Sequence, residues 1–370
     1  MTILVFNVGS TTLKYSLFDP SNGFARTDGL VDRIGQPGGD AADHVSAARR
    51  VMDEVGMETI TAIGHRIVQG GDCFSEPTVV NEAVIKQLRR LDGLAPLHNP
   101  AARMVVEGLM GACVPQTLVF DTAFYTSLPP EAFRYAVPGA WFRDHGVRRY
   151  GFHGTSHQYV TQKALLAIGR ASEPVRMVSL HLGGGASATA TIDGVAVDTS
   201  MGMTPLEGLV MATRSGDLDP AIIFHMMRHA DMSIEEIDGS LNKQSGLKGL
   251  CGDADMRVVL RREADGDADA KLAVEMFIRR ITKVVGGFAA VLGGLDALIF
   301  TAGIGEHSPE IRARVCVRLA FLGTEINDEM NANFPGDLCD LSTAGSRIRT
   351  LVVRTDEELA IAEQVLRTLN

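Results

Sequence analysis

The sequence lacks features that mark several other classes of protein. It has only five cysteines, their number is odd, and no two of them form a Cys-x-x-Cys pair. This argues against a disulfide framework and indicates reduced thiols in a cytoplasmic protein. Basic residues are not in excess, since 35 Lys and Arg against 45 Asp and Glu give a net charge of −10. The charge excludes a nucleic-acid binder with a basic face, and anionic substrates must be attracted by local cations.

Long hydrophobic runs are absent from the amino-terminal region as well. Residues 3–6 form a short apolar run that has neither a basic flank nor a cleavable apolar segment behind it. A run of this length is too short to span a bilayer, and it does not have the make-up of a secretory signal. We therefore expect a cytoplasmic protein with no membrane partner, and we interpret the run as the first strand of the fold.

The chain is long enough for two domains, and its strand pattern occurs twice. Its 370 residues exceed the roughly 250–300 at which a single core stops growing. A strand, a turn and a second strand over residues 3–18 are repeated over residues 175–192, where Asp193-Gly194 then marks a hairpin. We predict an α/β fold of two duplicated domains, with the first half ending within residues 120–150.

Further strands and helices are expected in both halves. Residues 62–66 and 117–121 are strand-like in the first half, as are residues 297–301 in the second. Helical periodicity is clearest over residues 269–292 and 357–369. No low-complexity linker separates these segments.

The turn after the first strand has the composition of an anion-binding loop. Gly9 allows a tight turn whose N–H groups point at an anion, Ser10 and Thr12 add hydroxyl donors, and Lys14 adds a positive charge. Asn7 can hold a metal ion or a metal-bound water. The Gly-x4-Gly-Lys spacing of a Walker A loop is absent, so a serine-rich hairpin is the alternative interpretation.

Two more glycine-rich segments follow strands in the second half. Residues 181–187 contain three consecutive glycines, which are costly in conformational entropy and indicate a close approach of the backbone to a ligand. A tight hairpin or a bulge is the alternative. Residues 302–307, Ala-Gly-Ile-Gly-Glu-His, follow an apolar strand as nucleotide-binding glycine loops do.

Two arginines and two carboxylates are placed at the ends of predicted elements. Arg66 and Arg214 lie beside glycine-containing loops, where a planar guanidinium can hold a carboxylate or a phosphate. A surface ion pair is the commoner role of an arginine. Asp121 ends a strand and Glu357 starts a helix. Carboxylates in such positions serve as Mg²⁺ ligands and equally as helix caps.

Two histidines flank a glycine in the middle of the chain. His153 and His157 are four residues apart, as in a zinc site on a helix. Gly151 and Gly154 argue against a regular helix there, and the glutamate of a His-Glu-x-x-His motif is missing. We expect His153 to donate to a phosphoryl oxygen and His157 to have a structural role.

In combination, these motifs resemble those of the acetate and butyrate kinase family over nearly the whole chain. The resemblance implies the actin-like fold of acetate and sugar kinases and heat-shock ATPases, in which two duplicated domains surround a central cleft. It implies an N-terminal domain of residues 1–125 and 358–370, and a C-terminal domain of residues 126–357 with the nucleotide site and a dimer interface. The matching segments are residues 7–14, 65–71, 94–100, 120–124, 148–157, 181–187, 201–208, 241–246, 300–308 and 355–359.

The resemblance also implies a role for each motif residue. Mg²⁺, with Mn²⁺ as a substitute, would be held by Asn7 and Glu357. The catalytic residues would be Asp121, Arg66, Arg214 and His153. The acid would be bound by Arg66, Val68, Leu97, Phe152 and Pro205. ATP or ADP would be bound by Lys14, Ser10, Thr12, His181, Leu182, Gly183, Gly184, Gly185, Asp255, Met256, Arg257, Gly303, Ile304, Gly305, Glu306 and His307.

The reaction implied by the resemblance is reversible phosphoryl transfer from ATP to acetate, catalysed by a homodimer. A propionate or butyrate kinase, or a pyrophosphate-dependent acetate kinase, is the alternative. A non-catalytic nucleotide sensor is disfavoured because Arg66, Asp121 and His153 are all present. Acetate is already ionised at pH 7, so its oxygen needs no general base. We therefore expect Asp121 to orient Arg66 or a metal-bound water.

Several residues depart from the family pattern. Gln69 and Tyr125 stand where the family has histidines, and two threonines replace serines in the first turn. Gly184 and His307 replace asparagines in the site for the phosphoryl donor. The last two replacements concern the identity and affinity of the donor more than the reaction.

Overall fold

The chain forms two six-stranded mixed sheets in the computed structural model, which describes residues 2–96, 98–169, 173–334 and 336–369. It divides into two compact units. The first comprises Met1–Thr126, Phe152–Tyr159 and Asp356–Asn370, and the second comprises Ser127–Gly151 and Val160–Thr355. Each unit contains one of the sheets.

The first sheet brings the amino-terminal loop next to two parallel strands. Its strands are β1 (Ile3–Val8), β2 (Leu13–Asp19), β3 (Ala25–Val31), β4 (Ala62–Ile67), β5 (Thr78–Val79) and β6 (Gln116–Phe120), in the order β3-β2-β1-β4-β6-β5. β1 runs antiparallel to β2 and parallel to β4, and β4 runs parallel to β6. The register places Asn7 opposite Lys14, so these two residues of the predicted anion-binding loop are direct neighbours.

The second sheet repeats the first strand by strand. Its strands are β7 (Arg176–Leu182), β8 (Ala186–Ile192), β9 (Val195–Thr199), β10 (Ala297–Thr301), β11 (Leu338–Asp340) and β12 (Arg349–Val353), in the order β11-β12-β10-β7-β8-β9. Each strand corresponds to the one six places earlier, with the same parallel and antiparallel neighbours. The predicted duplicated α/β fold is confirmed.

Helices connect and cover the strands in both units. They are α1 (His44–Val55), α2 (Glu82–Arg90), α3 (Asn99–Gly108), α4 (Pro130–Phe133), α5 (Gly139–His145), α6 (Gly154–Ile168), α7 (Ala221–His229), α8 (Ile234–Lys243), α9 (Gly246–Cys251), α10 (Met256–Ala264), α11 (Ala268–Leu292), α12 (Ala302–His307), α13 (Pro309–Leu319), α14 (Asp328–Ala332) and α15 (Glu357–Leu369). Within the described ranges, none of them has the length and apolar character needed to traverse a bilayer.

Both faces of β1 are buried, as the apolar run of residues 3–6 requires. Leu4 and Phe6 join a core that is shared with α1, α2 and α3, whereas Ile3 and Val5 pack against α15. Gly64 on β4 permits the close approach of α15, because a Cβ atom at this position would lie 2.8 Å from two side-chain carbons of that helix. The absence of a side chain at Gly64 thus allows the short packing distance between the sheet and α15.

The structure contradicts the sequence interpretation at two glycine-containing segments. A regular helix was not expected around Gly154, yet α6 begins at this residue, and His157 lies within the helix while His153 precedes it. Residues 302–307 were expected to form a loop, but they form the short helix α12. Glycine costs only about 1 kcal/mol relative to alanine in a helix, and tertiary contacts described below offset this cost.

Candidate active site

The half-buried Arg66 and the buried Asp121 form an ion pair at the carboxyl ends of two adjacent parallel strands. Arg66 lies on β4 and Asp121 directly follows β6. The guanidinium donates from Nη2 to Oδ2 of Asp121 at 2.6 Å and from Nε to Oδ1 at 3.2 Å. Thr155 at the start of α6 donates its hydroxyl to the same Oδ1 at 3.0 Å. Asp121 therefore fixes the plane of the Arg66 guanidinium in two places.

Asn7 and two glutamates complete this group of polar side chains in the first unit. Arg66 donates from Nη1 to Oδ1 of Asn7 at 3.1 Å, and Asn7 donates from Nδ2 to Oε1 of Glu358 at 3.0 Å. Glu357 lies 3.9 Å from the guanidinium of Arg66. The sequence interpretation included Asn7 and Glu357 but missed Glu358 and Thr155. An acidic run at a helix start was the only sequence signal for Glu358.

The charges of this group depend on one another. Burial lowers the pKa of Arg66, but the carboxylates of Asp121 and Glu357 outweigh this effect and raise the pKa overall, so the guanidinium stays charged. Burial raises the pKa of Glu357, while Arg66 opposes the change and the carboxylates of Asp121 and Glu358 reinforce it. Lys14 acts in the same direction as Arg66. A cation near Glu357 would thus relieve an excess of buried negative charge.

Asn7 and Glu357 have the chemistry of Mg²⁺ ligands but do not form a complete cage. No group of three or more His, Cys, Asp or Glu side chains with metal-binding geometry occurs among the described residues. Mg²⁺ commonly keeps several waters and is bound by one or two protein oxygens together with substrate phosphates. The carboxylate of Glu357 and the amide oxygen of Asn7 are hard oxygen donors of this type. The residues therefore fit a Mg²⁺ ion that arrives with a nucleotide.

The first glycine turn is as tight as the sequence predicts. The N–H of Gly9 donates to the carbonyl of Thr12 at 2.9 Å, and a Cβ atom at Gly9 would lie 2.5 Å from the hydroxyl of Thr12. His44, which the sequence interpretation missed, has its Nε2 3.0 Å from the carbonyl oxygen of Gly9. Ser10 and Lys14 are exposed, so their polar groups are accessible to a ligand.

His153 is held in a strained backbone conformation next to the ion pair. Its φ is +56°, in the left-handed region that non-glycine residues seldom adopt. Tyr125 donates its hydroxyl to the carbonyl of Phe152 at 2.8 Å, and Gly154 packs so closely on the backbone of Asp121 that it leaves no space for a Cβ atom. Such strain persists only where the surroundings fix it, and it is concentrated at functional sites.

The residues predicted to contact the acid lie in different parts of the structure. Val68 is half-buried and Phe152 is buried in the first unit, whereas Pro205 is half-buried in the second. Leu97 lies outside the described residues. With Arg66, the structure therefore gives the position of four of the five residues predicted for the acid, and their joint role stays a prediction.

Arg214 is a half-buried cation of the second unit. Its Nη1 donates to the carbonyl of Pro205 at 3.1 Å and to the sulfur of Met211 at 3.8 Å. In the part of the chain that the structure describes, no carboxylate oxygen lies within 4 Å of its guanidinium. Burial lowers the pKa of Arg214, and no neighbouring charge opposes this. A group of this kind is stabilised when an anionic ligand binds.

A pocket of about 770 Å³ in the second unit gathers many of the predicted nucleotide-binding residues. This volume lies within the usual range for ligand sites. Predicted residues that line it are Gly183, Gly184, Asp255, Met256, Arg257, Gly303, Ile304 and His307. Residues that the sequence interpretation missed are Ala254, Leu260, Ser308, Pro309 and Glu310. Leu260 was recognisable in principle, because it lies four residues after Met256 on the same face of α10.

Some residues predicted for the nucleotide are not among those that line the pocket. His181 and Leu182 end β7, and the N–H of Gly183 donates to the carbonyl of Gly185 at 2.9 Å, which closes the glycine turn. Glu306 is buried, and its Oε1 accepts a hydrogen bond from the N–H of Ala302 at 2.8 Å. Their contact with a nucleotide stays a prediction.

Comparison with known proteins agrees with this geometry. The sequence model of the acetokinase family matches residues 40–363. Acetate kinase from Micrococcus luteus is 47% identical, with 98% of each chain covered. The chain belongs to the acetokinase family.

Solved structures of the acetokinase family have the same fold. The crystal structure of acetate kinase from Porphyromonas gingivalis superimposes with a TM-score of 0.92 and is 36% identical, covering 100% of both chains. A propionate kinase from Francisella tularensis gives the same TM-score and identity and covers 99% of both chains. The resemblance inferred from the motifs is therefore confirmed over the full length.

Gly184, which departs from the acetokinase pattern, has space for the missing side chain. Its carbonyl accepts from the N–H of Ala212 at 3.1 Å, and a Cβ atom at Gly184 would meet no other atom within 4 Å. We expect Gly184→Asn to tighten ADP binding by about two- to tenfold, the effect of one added hydrogen bond. Calorimetric titration with Mg-ADP measures this, and Gly184→Ala, which fills the same space without an amide, is the control. Equal affinities of the two variants would contradict the prediction.

Proposed function

We propose that this protein is an acetate kinase that catalyses reversible, Mg²⁺-dependent transfer of the γ-phosphoryl group of ATP to acetate. The observation that carries the proposal is the pair of half-buried arginines in unlike environments. Arg66 is oriented and kept charged by Asp121, whereas Arg214 has no carboxylate partner among the described residues. One oriented and one uncompensated guanidinium suit the binding of a carboxylate and a phosphoryl group.

The reaction needs charge stabilisation more than proton transfer. A carboxylate oxygen of acetate attacks the γ-phosphorus, the bond from phosphorus to the β,γ-bridging oxygen breaks, and ADP leaves with that electron pair. The transition state spreads negative charge over the three equatorial oxygens, so positioning and cations provide most of the catalysis. Arg66, Arg214 and His153 are the proposed donors to these oxygens.

Supporting residues define the rest of the proposed site. Asn7 and Glu357 would hold Mg²⁺, which neutralises phosphate charge when it is bound. Lys14 and the hydroxyls of the first turn would bind donor phosphates. The 770 Å³ pocket beside Gly183, Met256 and Ile304 would take the adenosine part of the nucleotide. Asp121 would orient Arg66, since acetate is ionised at neutral pH and has no proton to give up.

Two finer assignments complete the proposal. We propose a homodimer that associates through the second unit, where α7 exposes Ile222, Phe224 and Met227. Apolar side chains clustered on one exposed helix are typical of association surfaces. We also propose that the enzyme acts in the cytoplasm, consistent with its five free cysteines.

Propionate is the main competing acceptor, because the Francisella tularensis relative is a propionate kinase. We expect Val68→Ala to raise the ratio of kcat/KM for propionate to that for acetate by at least about fivefold, since one methylene is worth about 1–3 kcal/mol in a binding pocket. Steady-state kinetics with both acids measure the ratio. Ile67→Val, which shortens the neighbouring side chain in the core, is the control and should leave the ratio unchanged. If Val68→Ala does not alter the ratio either, Val68 does not contact the acid.

Hydroxylamine trapping of acyl phosphate tests the proposed function directly. Mg-ATP is offered with acetate, propionate or butyrate, and pyrophosphate replaces ATP in a parallel series. Strong hydroxamate formation from ATP and acetate supports the proposal. Product with pyrophosphate alone would support acetate as the acceptor and would contradict ATP as the donor. Absence of product with every pair would overturn the kinase assignment.

A further inference from the structure

The short helix α12 is held at its amino end by a buried carboxylate. Oε1 of Glu306 accepts from the N–H of Ala302 at 2.8 Å and from the hydroxyl of Thr301 at 3.3 Å. The N–H of Thr355 donates to the same oxygen at 3.0 Å. Ala302 has a φ of +64°, which is unfavourable for alanine. Glu306 thus fixes a strained entry into the helix that carries Gly303 and Ile304.

Arg312 holds the carboxyl end of the same helix. Its Nη1 donates to the carbonyls of Gly305 at 2.9 Å and of Glu306 at 2.8 Å. Its Nε donates to Oδ1 of Asn331 at 2.8 Å, and its Nη2 donates to the carbonyl of Asn331 at 2.6 Å. Four of its five N–H groups are thus used, and the residue is only 1% exposed.

The guanidinium of Arg312 is a costly group to bury. No carboxylate oxygen lies within 4 Å of it among the described residues, and burial lowers its pKa to about 10. It remains protonated at neutral pH. Its acceptors include carbonyls at the end of a helix, where the backbone carries partial negative charge. Because an apolar side chain of similar size would often be no less stable, stability alone does not account for an arginine here.

Asn331 extends the same network to the wall of the pocket. Its Nδ2 donates to the carbonyl of Pro309 at 2.9 Å, and Pro309 lines the pocket together with Gly303, Ile304 and His307. Arg312 and Asn331 therefore fix three backbone carbonyls on either side of the junction between α12 and α13. Neither of the two side chains lines the pocket.

We propose that Arg312 is a positioning residue for the nucleotide: through Gly305, Glu306 and Asn331 it sets the conformation of residues 302–309 and so determines nucleotide affinity without contacting the ligand. The inference rests on the proposed function, because it takes this pocket as the nucleotide site. It assigns Glu306 and Arg312 complementary tasks at the two ends of α12. Without Arg312, Gly303 and Gly305 would allow the segment many other conformations.

The decisive variant is Arg312→Met, which has similar length but no donors. We expect the Kd and the KM for Mg-ADP to rise by about tenfold or more. The kcat at saturating ADP should stay within about threefold of wild type, and the KM for acetyl phosphate should be unchanged. A merely structural role would lower the fraction of active enzyme and the melting temperature but would leave the KM for ADP as it is.

Arg318→Met is the control on the same helix. Arg318 pairs with Glu275, and neither residue is among those that line the pocket. Arg318→Met should keep wild-type affinity for ADP. Equal affinities of wild type and folded Arg312→Met, measured by calorimetry, would overturn the inference.

Asn331→Ala keeps the inference testable if Arg312→Met does not fold. It removes one acceptor of Arg312 and the donor to Pro309, and it should weaken ADP binding by about threefold or more. Unchanged binding in this variant would contradict the proposal. If wild-type enzyme itself does not bind Mg-ADP, the proposed function fails and not the specific role of Arg312.

Discussion

Arg214→Met is expected to lower kcat by about 10²–10³-fold and to leave the protein at least as stable as wild type. The two effects have one cause. The guanidinium of Arg214 is half-buried beside a carbonyl and a thioether, with no carboxylate within 4 Å in the described structure. Its removal would take away the proposed donor to the transferring group and would also relieve the unfavourable partial burial of a charge.

Activity and thermal unfolding must be measured on the same preparation of Arg214→Met. Arg149→Met is the control with the opposite expectation for stability. Arg149 donates to Glu207 at 2.7 Å, so its removal would leave a carboxylate without its ion-pair partner. We expect a lower melting temperature for this control. Loss of several degrees in Arg214→Met, or retention of full activity, would show that Arg214 is an ordinary structural arginine.

Asp121→Asn is expected to lower kcat by about 10²-fold or more without changing the shape of the pH–rate profile. The substitution keeps the size of the side chain but removes the charge that holds Arg66 in a bidentate pair. Arg66 would then be a half-buried cation whose guanidinium is held less firmly. Because acetate needs no base, the loss reflects orientation and charge, and the limbs of the profile belong to other groups.

The pH–rate profile of kcat/KM for acetate distinguishes orientation from base catalysis. A limb in the carboxylate range that is present in wild type and absent from Asp121→Asn would show that Asp121 takes a proton. Thr155→Val is the control, since it removes one hydrogen bond to Asp121 and no charge. Its activity should fall by less than about tenfold, in keeping with a single neutral donor.

Local sequence patterns were sufficient to predict those site residues whose positions depend on strands and turns. Asn7, Arg66 and Asp121 each stand near the carboxyl end of a strand, and the parallel arrangement of β1, β4 and β6 brings them together. The duplication was visible because a strand, a glycine turn and a second strand recur at equivalent positions. The spacing of apolar residues and the residue types of turns are local properties, so they can be read directly from the sequence.

Contacts that depend on tertiary packing were not predictable in the same way. Gly303 and Gly305 favour a loop by propensity, but Glu306 and Arg312 hold the segment as a helix from positions that have no sequence signature. Glu306 belongs to the glycine motif and yet points into the protein. Threonine and glutamate are residue types that are common on protein surfaces, so the sequence does not distinguish Thr155 and Glu358. Only the fold brings them to Asp121 and Asn7.

The packing of α15 on the first sheet has a consequence for folding during translation. Ile3 and Val5 lie near the beginning of the chain, but the side chains that bury them, Ile361 and Val365, are translated more than 350 residues later. The second unit lies entirely between these segments. During translation the second unit can therefore fold first, while one face of β1 stays uncovered until α15 has been synthesised.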